Sequence, residues 1–414
     1  MDNIQTGGAP APDTDRMVAG LQLRWHHSVR EIDGQAWNAL LEGVSGARPF
    51  LTHEWLLALE IHGCACTETG WQTQFAALHD AKGDLLAACP LYLKSHSYGE
   101  YVFDWAWADA HDRALSREGR QYFPKLLSAS PFSPIPGQRL LTTPEASPAL
   151  RTALQDRLLA ALQERCTQEG WSSAHALFVS DEEAQLASRQ GWLLRHGVQF
   201  HWTNRRPQPY ASFEEFLSTL HRDKRKKILQ ERRKVHDAGV EFDVIEGPQA
   251  SEQDWAFFYR CYQDTYHAHG QRPYLNEALW QTVGQRLAPH WVMFVARQGG
   301  ERIACSLLAV DRAQGVAYGR YWGALQAVSC LHFEACYYQP LAWCINQGLS
   351  RFEGGAQGEH KLARGLLPVT TNSVHWLAHP GLRHAVSDFL MREDLGLTHY
   401  VNELDERKPF KPQD

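Results

Sequence analysis

What the 414-residue chain lacks narrows its function first. No stretch approaches the run of about 18 apolar residues that marks a membrane-spanning helix, so no transmembrane segment is expected. The first 20 residues are rich in Gly, Ala, Pro and Asp and have neither the basic start nor the apolar centre of a secretion signal. A flexible tail is expected over residues 1–20. P-loop, GxGxxG, GxSxG and HExxH motifs are missing. Their absence leaves no sequence support for a phosphate cradle, a dinucleotide fold, a nucleophile elbow or a zinc-protease helix. The nine cysteines contain no CxxC pair, and Cys64-Ala-Cys66 has no histidine cluster beside it, so no metal is assigned. Most of the cysteines sit in apolar surroundings, where a free thiol acts as a small hydrophobe. This usage fits a reducing, cytoplasmic setting. An excess of positive charge is lacking too. The net charge of −6 argues against a surface that coats DNA, yet leaves room for a local basic patch.

What is present reads as globular: 44% hydrophobic and 21% charged residues, with 15 tryptophans. The length exceeds one ordinary core, and two domains are the default at roughly 150 residues each. A weak internal repeat supports that division. Phe75–His79, a turn at Asp80–Asp84, and Leu85–Leu93 read as strand, tight turn, strand. Trp291–Ala296, Arg297–Arg302 and Ile303–Val310 repeat the order. An aromatic strand is expected after each unit, at Tyr101–Trp107 and Val316–Trp322. The repeat divides the chain near residue 200.

The two halves end differently. Ser173–Val179 reads as a strand, Asp181–Gln190 as a helix capped by Ser180 or Asp181, and Leu193–Trp202 as a strand after Gly191. In the second half, strand Leu349–Glu353 leads into a glycine-rich loop, 354–365, before strand Thr370–Leu377. The loop holds Gly354, Gly355 and Gly358, then Glu359, His360, Lys361 and Arg364. It joins a proton acceptor, an imidazole and two cations at a strand end, where catalytic groups often sit. A different signal opens the second half. Phe213, Phe216, Leu217, Leu220, Ile228 and Val235 fit a helical stripe within 212–238. Residues 222–234 carry eight Lys or Arg against Asp223 and Glu231, which is the footprint of a polyanion site.

This order of elements resembles the GNAT acyltransferase superfamily. Two such units in tandem resemble its Fem-like branch, and more narrowly the bacterial predicted N-acyltransferases grouped as FemAB-like. The resemblance runs from about Arg48 to about Leu377. It is carried by Pro49-Phe-Leu-Thr-His-Glu-Trp55, Phe103-Asp-Trp-Ala-Trp-Ala-Asp109, Tyr122-Phe-Pro-Lys125, Pro131-Phe-Ser-Pro134, Gly319-Arg-Tyr-Trp-Gly323, Leu331-His-Phe-Glu-Ala-Cys-Tyr-Tyr-Gln339 and Gly354-Gly-Ala-Gln-Gly-Glu-His-Lys361. It implies an α/β fold with a mixed (α+β) sheet, built as two tandem GNAT-like acyltransferase domains: 21–203, and 204–414 with its basic helix and loop. It also implies an N-acyltransferase or aminoacyltransferase acting on an amine of a small molecule or cell-wall precursor. No tightly bound cofactor is implied; acyl-CoA or aminoacyl-tRNA is the co-substrate, and tRNA a partner. A non-catalytic module for peptidoglycan precursors or anionic ligands is the alternative, and RNA binding without chemistry a third reading. Gly323–Leu331 lacks the glycines and basic residue of a CoA loop, a feature that Fem-like enzymes share.

Amide formation needs a proton acceptor, an oxyanion donor and a proton for the leaving atom. In GNAT folds the acyl group lies where the fourth and fifth strands part, here Val316–Gly323 and Leu349–Gly354. The candidate bases are Glu359, first, then His360 and Glu334; Tyr318 and Tyr321 are the candidate acids. Backbone N–H groups near Trp322 and Gly323 are placed at the oxyanion. Asp104, Trp105, Asp109, Arg320, Trp322, His332, Tyr338, Gln357, Lys361 and Arg364 are the candidate substrate contacts. Arg222, Lys224, Arg225, Lys226 and Lys227 are placed on phosphate. Structural ion pairs, core packing and a solvated basic face are the competing readings of these residues.

Overall fold

The computed structural model describes residues 18–42, 44, 48–115, 119–356 and 358–411. Residues 1–17 of the expected tail, and Gln357, lie outside them.

Two hairpin-based runs of strands build one mixed sheet. The first half supplies β1 (Gln22–His26), β2 (Trp71–His79), β3 (Leu85–Lys94), β4 (Lys125–Ser128), β5 (Leu141–Thr142), β6 (Ser173–Val179) and β7 (Leu193–Thr203). The second supplies β8 (Val240–Glu246), β9 (Trp291–Gln298), β10 (Glu301–Asp311), β11 (Val316–Ala324), β12 (Arg351–Ala356) and β13 (Leu367–Leu377). The order is β1-β2-β3-β4-β6-β13-β7-β12-β11-β10-β9-β8, with β5 on β3. Each half thus contributes a run of four strands and a fifth parallel to the fourth: β6 beside β4, β12 beside β11. The last strands are exchanged. β13 lies between β6 and β7, and β7 between β13 and β12.

The two strand–turn–strand units form as expected, with Asp80 Oδ1 accepting the N–H groups of Lys82 and Asp84 to fold the first turn. The strand expected at Tyr101–Trp107 does not form. Helix α1 (Trp105–Leu115) begins there instead, and the third long strand position of this half is taken by Lys125–Ser128. Two observations explain the difference. Tyr101 takes a left-handed φ of 65°, which turns the chain, and the Asp104 carbonyl accepts from the N–H groups of Trp107 and Ala108 to start the helix. Trp107, His111 and Leu115 are its buried stripe, a period of four rather than two. The basic segment is likewise two helices, Phe213–Ser218 and α2 (Arg222–Asp237), broken at His221.

One face of the sheet carries an aromatic core that spans both halves. Phe50 and Trp55 of the first half meet Trp291 edge-on and tilted, with centroids 5.7 and 5.6 Å apart, and Phe50 meets Tyr318 at 5.9 Å. Helix α3 (Glu252–Ala268) packs over this core through Trp255 and Phe258. Much of the chain's tryptophan is therefore core material. It also fixes the two halves against each other where the main cleft opens.

Candidate active site

The site starts from a parting of strands. β11 and β12 pair only at Val316–Arg351, Ala317–Phe352 and Tyr318–Glu353. Beyond these pairs β11 carries a bulge: Leu307 faces Tyr321 and Leu308 faces Gly319, so Arg320 is the extra residue. Bulges bend a strand and re-aim its side chains. This one brings Tyr318 and Tyr321, three apart in sequence, into the same core cluster. Gly355 on β12 has φ 78°, and a Cβ there would lie 3.2 Å from Arg320 Nη1. Glycine therefore lets the guanidinium lie against the backbone. Arg320 Nη1 donates to the carbonyls of Gly319 (3.0 Å) and Glu353 (3.1 Å), tying the two strands where they diverge.

Two cavities meet at this point. The larger, about 720 Å³, opens between the halves. Its walls are Tyr98, Tyr101, Phe103, Trp105 and Phe132 from the first half, and Tyr262, Tyr266, Tyr274 and the Arg320–Trp322 stretch from the second. The smaller, about 150 Å³, shares Gly319–Trp322 and Gly354 and reaches His332, Cys336 and Tyr337. The last two lie on a π-turn, Glu334–Tyr338, that leads into helix Gln339–Asn346. Such turns are rare and frequent at functional sites. In the first half the corresponding gap is bridged: Gly137 N–H donates to Phe178 O at 2.9 Å, and Gln199 Nε2 to Pro134 O at 2.6 Å.

A buried charge network holds the loop that forms the first-half wall. Lys125 Nζ lies 2.8 Å from Glu100 Oε2, 2.6 Å from Asp104 Oδ2 and 2.9 Å from Ser97 Oγ. Tyr122 donates to Asp104 Oδ2 at 2.6 Å. Lys94 Nζ sits 3.7 Å over the Trp71 ring and donates to Tyr98 O at 3.3 Å. Burial raises the Glu100 carboxyl to about 7, against the pull of Lys125, and lowers Lys94 to about 7. Asp104 is different. Burial pushes its pKa up, but Lys125, His175 and its hydrogen bonds outweigh that and hold it well below the usual carboxylate range. Sequence reasoning placed Asp104 on substrate and missed Lys94 and Glu100; the structure buries all three with Lys125 inside the first half.

The other candidates separate into distinct places. Tyr321, Trp322 and Arg320 line both cavities, Trp105 the larger and His332 the smaller. The walls around His332 desolvate its ring and, with the neighbouring His360 and the cations of Arg364 and Lys361, lower its pKa to about 4. Tyr318 is fully buried against Phe50. Lys361 is buried behind the parted strand, its Nζ 3.3 Å from Gly355 O, and burial followed by Arg320 lowers its pKa to about 8. Glu334 faces another groove, paired with Arg232 Nε at 3.2 Å and Gln339 Nε2 at 2.8 Å. Tyr338 donates to Glu231, which also accepts from Arg364 Nη2 at 2.8 Å. His360 is exposed and meets Tyr337 OH at 3.2 Å. Asp109 is exposed on α1.

Glu359 does not join the parted strands either. It is exposed, pairs with Arg407 Nη1 at 3.2 Å, and lines a groove with His221 and Lys224. Exposed pairs of this kind contribute about 0–1 kcal/mol. Glu359→Gln should therefore leave turnover within about twofold and stability within about 1 kcal/mol. A hundredfold loss of rate in that variant would return it to the chemistry. Helix α2, with Arg222, Lys224, Arg225, Lys226 and Lys227, lies against the Glu359–Arg364 turn through the Glu231–Arg364 pair rather than against the aromatic cleft. The signal that was open to sequence reading and missed is the density of tyrosine in Tyr98–Tyr101 and Tyr262–Tyr274. Among the described residues no cluster of His, Cys, Asp and Glu could hold a metal ion, and no helix is long and apolar enough to cross a membrane.

Comparison with known proteins bears on the fold and family. No curated protein matches the chain. Two solved structures share its fold over nearly their whole length. FemX has a TM-score of 0.51 and 10% identity, covering 88% of this chain and 100% of that one. The structure of L-PGS from Bacillus licheniformis has a TM-score of 0.50 and 11% identity, covering 86% and 97%. The mixed α/β sheet built from two similar runs of strands is thus the arrangement expected from the sequence. A family model, FemAB-like, described as peptidoglycan biosynthesis/recognition, matches residues 28–412. The chain belongs to the FemAB-like family.

Proposed function

We propose that this acyl or aminoacyl transferase joins an activated acyl group to an amine at the point where β11 and β12 part. The observation that carries the reading is the meeting of two cavities at Arg320, Tyr321 and Trp322. One admits the donor and the other the acceptor, so the reacting atoms are brought together without crossing a closed ladder. The donor is acyl-CoA or aminoacyl-tRNA, and the acceptor an amine of a small molecule or cell-wall precursor. The cations of α2, Arg222, Lys224, Arg225, Lys226 and Lys227, belong to the helix packed against the Glu359–Arg364 turn and would hold the donor's phosphates.

The amine nitrogen attacks the acyl carbon, the bond to the leaving sulfur or oxygen breaks, and one amine proton ends on that atom. The backbone N–H of Trp322 would stabilise the oxyanion. Its carbonyl accepts from Thr265 Oγ1 at 2.8 Å and so faces away from β10. The N–H of a strand residue shares the side of its carbonyl. Tyr321 is the proton donor. Burial raises its phenol pKa, so it stays protonated, and Ser133 Oγ lies 3.4 Å from its hydroxyl. None of the described residues lining the larger cleft is Asp or Glu. An amine entering among the tyrosine rings finds no carboxylate on the wall of this cleft, and desolvation favours its neutral, nucleophilic form.

Incubation of the purified chain with acyl-CoA pools or charged tRNA plus candidate amines should yield a new amide by mass spectrometry. Tyr321→Phe, which keeps the ring, should lower turnover on the order of 10²-fold with little change in KM. Ligand binding in the cleft with no amide from either donor class would sink the transfer reading.

A further inference from the structure

Four large rings stand open to solvent on one short stretch of chain. Tyr98, Tyr101, Phe103 and Trp105 are 58, 40, 46 and 38% exposed, and all four line the larger cleft. Single exposed hydrophobic residues are ordinary, but a contiguous patch of them marks a surface that something covers. The stretch is gripped from behind through its polar groups. Tyr98 O accepts from Trp71 Nε1 at 3.2 Å and from Lys94 Nζ at 3.3 Å, and Phe103 O accepts from Arg195 Nη1 at 2.8 Å. Lys125 holds Ser97, Glu100 and Asp104. These bonds fix the backbone and leave the rings to the cleft. The rings also steady one another: Trp105 meets Tyr98 at 5.0 Å and lies 15° from parallel to Phe103 at 6.3 Å. Rings ordered before a ligand arrives lose little entropy when it binds.

The rest of the cleft says what kind of body fits. Tyr274 stacks on Phe132 at 5.0 Å and meets Tyr266 edge-on at 6.0 Å, so further ring faces and edges complete the lining. Arg320 is the only Lys, Arg, Asp or Glu among the described residues of this lining, and its charge is already committed. Nη1 donates to the carbonyls of Gly319 and Glu353, and Nη2 faces the buried Glu353 carboxylate at 3.6 Å. A permanent cation would meet that guanidinium and no carboxylate, and an anion would find the guanidinium turned into the protein; either loses its hydration without a matching charge. A sugar needs a partner for each hydroxyl. Thr265 Oγ1 is taken by Trp322 O and His269 Nδ1 by Thr265 O, which leaves mainly Gln271 and the phenol hydroxyls.

We propose that the larger cleft selects an uncharged aromatic body, bound among the rings of Tyr98, Tyr101, Phe103 and Trp105 on one side and of Tyr266 and Tyr274 on the other. Given the transfer reading above, on which this assignment of role rests, the body belongs to the acceptor: a primary amine carried on an aromatic ring system, with no acidic group beside it. The 98–105 stretch is then the determinant of acceptor specificity, and it presents the amine to the parted strands at Tyr321 and Trp322.

The test is binding to the intact chain, followed by calorimetry. The probes are phenylacetamide, its saturated counterpart cyclohexylacetamide, the cation phenyltrimethylammonium, and N-acetylglucosamine. Phenylacetamide should bind about three- to tenfold more tightly than cyclohexylacetamide, the gain that ring–ring contacts add beyond buried area. It should bind at least about tenfold more tightly than the cation or the sugar. Tyr98→Ala and Phe103→Ala remove exposed rings and keep the carbonyl anchors, so both should fold by circular dichroism, and each should weaken phenylacetamide about fivefold or more. Tyr98→Phe should retain the affinity. Equal binding of the aromatic and saturated amides, tighter binding of the cation or the sugar, or full affinity in both alanine variants would overturn the proposal. The comparison of probes on the native chain decides the matter even if a variant does not fold. These measurements need no turnover. If phenylacetamide binds as expected and no amide forms from either donor class, the transfer reading fails and the aromatic site stands. If amide forms equally well on phenylethylamine and cyclohexylethylamine, the aromatic assignment fails and the transfer reading stands.

Discussion

Replacing Lys125 with methionine should lower the free energy of unfolding by about 3–5 kcal/mol, because it strips the cation from a buried pair and leaves the carboxylates behind. The side chain is 1% exposed and touches Glu100, Asp104 and Ser97 together. Glu100 already titrates near neutrality and can take a proton. Asp104 cannot do so cheaply, since its ionised form also accepts from Tyr122 and Ser97. The pH dependence follows from the direction of the Asp104 shift. A carboxyl with a depressed folded pKa contributes stability above its unfolded value of about 4, and loses it as pH falls through the folded value. Lys125→Met removes much of that contribution, so the gap to the native chain should be widest above about pH 4 and shrink below it. Urea titrations at several pH values measure both. The variant should also lose ligand affinity in the larger cleft, because the same network anchors the loop bearing Tyr98, Tyr101 and Phe103. A loss below about 1 kcal/mol at pH 7 would mean that the network relaxes around the gap.

Gly323→Ala should also be strongly damaging, for a steric reason. A Cβ at Gly323 would fall 1.7 Å from the carbonyl oxygen and 2.1 Å from the carbonyl carbon of Cys261. Both are backbone, so no rotamer change makes room. Either β11 or helix α3 must shift, and α3 carries Tyr262, Thr265 and Tyr266 against the cleft. Overpacked sites lose typically 1–3 kcal/mol and occasionally more; this one belongs at the upper end. The melting temperature and turnover should fall together. A variant that melts within a degree or two of the native chain would show that the helix and strand can slide apart.

Most of the strands were legible because their signals are local. β2 and β3, and β9 and β10, are apolar runs joined by short polar turns, and β6, its following helix and β7 have their cap and stop residues in plain view. The aromatic segment 101–107 was misread because its rings suit a strand, while the turn at Tyr101 that starts the helix is followed by Asp104, whose carboxylate is held by Tyr122 and Lys125 from 18 to 21 residues away. The site divides in the same way. Arg320, Tyr321 and Trp322 could be placed because the parting of two strands is a property of the fold. Glu359 could not be separated from them by sequence, since its partner Arg407 is 48 residues away. Nothing in the local sequence around Lys94 and Glu100 marks them as interior; the packing of Trp71 and the 97–104 loop does.

The exchange of β7 and β13 has a consequence for how the chain can be made. When the ribosome has released Thr203, β7 has neither of its neighbours, and β6 still has an open edge. Both wait until Arg351 and then Leu367 have been synthesised. Unpaired edges are templates for wrong partners, and pairings across a long chain segment form slowly. The nascent first half is therefore a client for protection during translation, and nature could not easily have separated these two units into independent subunits once their closing strands had been traded.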